Sequence, residues 1–129
     1  MRAERHRVLA ERIERAVAHC GERDPEMKIE AAMLAGTHWA NYALHRHGVC
    51  SEDEDIVHTS MLVVNTLRKY CIVEPDMLRA LSDIEEFRPL FVRGDAAGAP
   101  EAAQRALALL AEISVRAQES AHSTPRSLP

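Results

Sequence analysis

The chain has 129 residues and a mass of 14.4 kDa, enough for one hydrophobic core and too little for two. Apolar residues make up 47 % and charged ones 28 %, which excludes a disordered chain, and a net charge of −4 excludes generic DNA binding. Twenty alanines against five glycines and six prolines, with aromatics at only 4 %, point away from sheet and towards helix.

The first helix is predicted over residues 3–20, where Val8, Leu9, Ile13, Ala16, Val17 and Cys20 recur at three- and four-residue spacing; Gly21 ends it. Asp24 and Pro25 supply an N-cap and a first helical residue whose missing N–H does no harm. The second helix then runs over 25–47 and stops at Gly48, a left-handed cap. Ser51 and Glu54 have capping-box spacing and start a third helix, with Ile56, Val57, Val63, Val64, Leu67 and Cys71 on one side. Its acidic first turn, 52–55, complements the helix dipole. The fourth helix begins at Pro75 and carries Met77, Leu78, Leu81 and Ile84 until Pro89 bends or ends it.

After a loop of small residues at 94–98, Pro100 lies in the first turn of the fifth helix, whose stripe is Ala103, Leu107, Leu110, Ile113 and Ala117. Residues 120–129 lack periodicity and are expected to form a mobile tail. The expectation is an all-α, up-down bundle of about five helices, with one domain over 1–119.

The early charges at Arg2, Glu4, Arg5 and Arg7 do not suit a signal peptide. The longest uncharged run, 31–45, is 15 residues and contains Thr37, His38 and Asn41, so no membrane contact is expected. Cys20, Cys50 and Cys71 form no CxxC and read as reduced thiols, which places the chain in the cytoplasm. Cys50, beside His47, is a weak candidate for a thiolate.

The second helix carries the unusual chemistry. Ile29, Met33, Gly36, Ala40 and Ala43 form its core face. Beside them, Glu30, Leu34, Thr37, His38, Asn41 and His45 fall within about 80° of one another. This stripe reads as a buried hydrogen-bond network, as a solvated flank, or as the wall of a pocket in which His38, Asn41 and His45 orient a ligand. Trp39 and Tyr42 occupy a third side and are candidates for a homodimer interface, with local core filling as the alternative.

A metal site is the competing chemistry. Di-iron bundles use Glu-x-x-His on two helices and a Glu from each of two others. Here Asp55-Ile-Val-His58 has that spacing with an Asp, Glu119-Ser-Ala-His122 lies near the chain end, and Glu30 stands alone. Glu30, Asp55 and His58 are therefore the alternative metal set, while no cofactor is the first expectation. Neither GxSxG nor a Gly-rich phosphate loop occurs, and no catalytic residue is assigned.

The segment Ile84-Glu-Glu-Phe-Arg-Pro-Leu-Phe-Val-Arg93, followed by an Ala-rich final helix, resembles the end of the HEPN fold. The second helix, with Ala-Gly-Thr-His-Trp-Ala-Asn-Tyr-Ala-Leu-His, is similar to the Ala-, Tyr- and His-rich second helix of that family. The resemblance spans about residues 25–118. It implies a homodimer, a nucleotidyltransferase-type partner and metal-independent RNA cleavage by an Arg-x(4–6)-His motif. Arg88 matches the Arg, but Arg93, Gly94 and Asp95 stand where the His is needed. That departure implies a non-catalytic accessory module for a nucleotide, RNA or protein partner. In it Arg88 and Arg93 attract an anion beside His38, Asn41 and His45. The alternative is a ribonuclease in which His38 or His45 replaces the missing His.

Overall fold

The computed structural model describes residues 1–56 and 74–122, with side chains as far as Glu119. Four α-helices are found among these residues: α1 (Ala3–Val17), α2 (Pro25–Arg46), α3 (Pro75–Phe87) and α4 (Ala99–His122). No strand occurs among them, so the all-α expectation holds. The expected third helix cannot be counted, because 57–73 lie outside the described residues. Its predicted start is corrected: 51–56 are not helical. Ser51 and Glu54 do meet, with the Ser51 N–H and Oγ both donating to Glu54 Oε1 at 3.2 and 3.1 Å. That contact closes a turn, completed by the Glu54 N–H donating to the Ser51 carbonyl at 2.9 Å.

α2 is the central element, packed against α1, α3 and α4, while α3 also packs on α4. Its sequence explains this position. Ile29, Ala32, Met33, Ala35, Gly36, Trp39, Ala40, Ala43 and Leu44 are all buried, so apolar or small residues cover most of its circumference. Gly36 lets two neighbours close in: a Cβ there would lie 3.0 Å from Leu81 Cδ1 on α3 and 3.3 Å from Ile113 Cδ1 on α4. Leu78, Leu81 and Ile84 from α3 and Ile113 from α4 fill the core on that side. The α2 terminus follows its predicted chemistry. Gly48 adopts φ +71°, and the Gly48 and Val49 N–H groups donate to the carbonyls of His45 and Leu44 at 3.1 and 3.0 Å. Asp24 does precede the first helical residue, but its side chain makes no capping bond.

Two further boundaries differ from expectation. Pro89 neither ends nor simply bends the chain after α3. Residues Arg88–Val92 widen into one π-helical turn, closed by the Arg93 N–H donating to the Arg88 carbonyl at 2.9 Å. A wider turn accommodates a ring that would collide with the carbonyl four residues back in an α-helix. α4 continues to His122, three residues beyond the expected domain end, and 123–129 lie outside the described residues. At the opposite end of α2, Glu74 is 3 % exposed and lies between His47 Nε2 at 3.2 Å and Arg116 Nε at 2.7 Å. It thereby ties the end of α2 and the middle of α4 to the start of α3. No described helix is long and apolar enough to cross a membrane.

Candidate metal centre

The buried face of α1 includes His6, Ala10 and Val17, with Ile13 packed at its edge. His6 takes a core position at helical spacing despite its charged neighbours Arg5 and Arg7. On α2, His38 and His45 are seven residues apart, two helical turns, and so share one side. Asp55 arrives from the connection after α2. Its position is set by the next residue: Asn41 Oδ1 accepts from the Ile56 N–H at 2.7 Å, and Asn41 Nδ2 donates to the Ile56 carbonyl at 2.9 Å.

His6, His45 and Asp55 meet at one point, and His38 backs onto His6. Asp55 Oδ1 lies 2.8 Å from His6 Nε2 and 2.7 Å from His45 Nε2. His6 Nδ1 lies 2.9 Å from His38 Nδ1, and the two rings are 5.2 Å apart between centroids. His45 Nδ1 is 3.2 Å from the Cys50 carbonyl oxygen and 3.3 Å from Cys50 Sγ. The Met1 amine donates to Asp55 Oδ2 at 2.8 Å.

Burial pushes the imidazoles of both His6 and His38 below their usual value of 6.5. The Asp55 carboxylate opposes this at His6, and the neighbouring His6 reinforces it at His38. Burial acts to raise the Asp55 carboxyl, but hydrogen bonds from the Met1 amine, His6 and His45 outweigh it and hold the group at about 2. The site therefore presents an ionised carboxylate to a His6 imidazole that favours the neutral, metal-binding form.

One ligand atom from each of His6, His45 and Asp55 lies within 4.8 Å of the other two, and the contacts to Asp55 Oδ1 pick out Nε2 on both rings. Metal–ligand bonds of about 2.0–2.2 Å in a tetrahedral site separate neighbouring ligand atoms by about 3.3 Å. The pairs at 2.7 and 2.8 Å need to spread by about half an ångström, and the two imidazole nitrogens, within 4.8 Å of each other, close by up to about 1.5 Å. The far side of each ring also fits. A histidine bound through Nε2 normally donates its Nδ1–H to an outer acceptor. His45 Nδ1 faces the Cys50 carbonyl and His6 Nδ1 faces a ring nitrogen of His38. The residues present thus fit a divalent transition metal.

The structure separates the residues that sequence reasoning grouped. His38 and His45 join His6 and Asp55. Asn41 is 1 % exposed and spends its amide on backbone, donating also to the Thr37 carbonyl at 3.1 Å, so its role is the hydrogen-bond network. Arg88 lies elsewhere: its Nε and Nη2 donate to Glu30 at 2.6 and 3.3 Å and its Nη1 to Glu85 at 2.9 Å. Glu30 is eight residues, about 12 Å along the helix, from His38 and about 22 Å from His45. The expected pocket shared by Arg88, Arg93, His38, Asn41 and His45 is therefore not assembled, and Arg93 is exposed.

The alternative metal set is described only in part. Asp55 belongs to the centre, Glu30 is committed to Arg88, and His58 lies outside the described residues. Trp39 and Tyr42 are 0 % and 5 % exposed, so they fill the core and offer no surface to a second chain. Trp39 Nε1 donates to Glu14, and its ring meets Tyr42 edge-on at 5.7 Å. Cys50 is buried against His45, not His47. His6 was missed. The available signal was its place in the spacing 6, 10, 13, 17, which the apolar stripe alone obscures.

Comparison of the chain with protein-family models, curated proteins and solved structures gives no match.

Proposed function

We propose that this protein is a helical bundle that holds one divalent transition-metal ion. The ligands are Nε2 of His6, Nε2 of His45 and the carboxylate of Asp55. The observation that carries this reading is the convergence of those three atoms from α1, α2 and the following connection. Two imidazoles and a carboxylate suit zinc or ferrous iron, and such an ion supplies Lewis acidity. Asn41 sets the carboxylate through its grip on Ile56.

The reading as a HEPN-type accessory module for a nucleotide, RNA or protein partner draws its positive charge from Arg88 and Arg93. The Arg88 guanidinium is balanced by Glu30 and Glu85, and Arg93 is exposed away from the histidines of α2, so the metal reading has the stronger support. The test is elemental analysis of protein incubated with zinc or cobalt and then desalted. A stoichiometric amount should be retained by the wild type and lost by His45→Ala and Asp55→Ala. Wild-type protein that retains none overturns the reading.

A further inference from the structure

His38 is not within the ligand triad, yet it is a direct polar neighbour of a ligand. Its Nδ1 stands 2.9 Å from His6 Nδ1, on the side of the His6 ring away from Asp55. Two nitrogens at that distance require one proton between them. The position of that proton depends on what His6 does at Nε2. With His6 Nε2–H donating to Asp55, a neutral His6 has a bare Nδ1, and His38 must donate from its own Nδ1–H. With His6 Nε2 bound to a metal, the His6 proton moves to Nδ1, and His38 must accept there and carry its proton on Nε2. Each ring keeps one proton throughout, so the exchange is a paired change of tautomer.

We infer that His38 is a positioning residue for the metal centre, fixing His6 in the tautomer that presents Nε2 to the ion. This rests on the proposed metal site and goes beyond it by assigning the outer partner. Burial supports the role. His6 is 2 % exposed, so without His38 its Nδ1–H would lose the partner seen here and face the cost of a buried donor. The other ligand ring relies on a backbone carbonyl, that of Cys50, for the same task. Substituting His38 removes its contact entirely, whereas substituting Cys50 leaves the carbonyl in place.

The experiment is a zinc titration against a chromophoric chelator, run on wild type, His38→Leu and His38→Asn. Outer-partner loss weakens metal binding by about 10–100-fold, and His38→Leu should show that loss. His38→Asn should stay near wild-type affinity, because an amide offers either a donor or an acceptor after a flip. Equal affinity in His38→Leu and wild type overturns the assignment while leaving the metal site standing. Absence of zinc binding in the wild type overturns the metal site itself. Nitrogen NMR of zinc-loaded wild type reads the tautomer directly and needs no variant: His6 should coordinate through Nε2 and carry its proton on Nδ1. Coordination through Nδ1 overturns the assignment.

Discussion

His6 Nε2 and Asp55 Oδ1 lie 2.8 Å apart although 49 residues separate them in the chain. The contact joins the first turns of α1 to the connection that follows α2. Asp55 Oδ1 receives His45 on the same atom, so the carboxylate is the hub of the centre.

Replacing that hub has a defined consequence. Asp55→Asn keeps the size of the side chain and removes its charge. Zinc affinity should fall by more than the roughly 10–100-fold typical of losing an outer partner, because a ligand itself is lost. Chelator competition measures the difference.

Acid should destabilise the metal-free protein in two stages. His6 and His38 have folded-state values below 6.5, so the unfolded chain takes up protons first as pH falls. Their contribution is present above 6.5 and is lost as pH drops through and below it. Asp55 contributes above its unfolded value of 3.8, and that contribution is lost as pH falls towards about 2. Urea midpoints measured from neutral pH down to pH 3 should decline in both intervals, and His38→Asn should flatten the first.

Trp39→Ala removes a fully buried ring and leaves a cavity beside Tyr42 and Glu14. The expected loss is about 3–5 kcal/mol, read from denaturant unfolding, against a total of order 5–15 kcal/mol for a typical domain. Light scattering at low denaturant should show no dissociation step specific to this variant.

Gly36→Ala sets two effects against each other. Alanine gains about 1 kcal/mol of helix propensity, whereas overpacking a filled site costs about 1–3 kcal/mol. The added methyl would meet side chains from two different helices at 3.0 and 3.3 Å, so packing should win. The melting temperature should fall, and fall further with Gly36→Val.

The helical class was legible because α2, α3 and α4 carry strong periodicity and their boundaries are written in Pro25, Gly48, Pro75 and Pro100. The core face of α2 was legible for the same reason: Ile29, Met33, Gly36, Ala40 and Ala43 are all buried. Three of the four residues of the candidate centre were also visible: His38 and His45 as polar groups flanking that face, and Asp55 as a member of the alternative metal set. The remainder was not local. No spacing links His6 to Asp55, and only the packing of α1 on α2 brings them together. Charge misled at Arg88, because an arginine reads as available until its carboxylate partners are located. At Trp39 the core-filling alternative holds, because α2 buries nearly its whole circumference.

Asn41 gives the fold an evolutionary freedom. By gripping both polar groups of the Ile56 backbone, it sets the height of Asp55 from α2 itself, whatever path the intervening chain takes. The stretch 51–54 is exposed and closes on its own turn. Residues inserted or deleted there should alter the outline of the molecule while the carboxylate keeps its register with His6 and His45. The surface beside the centre is thus a place where length can drift and the chemistry stay put.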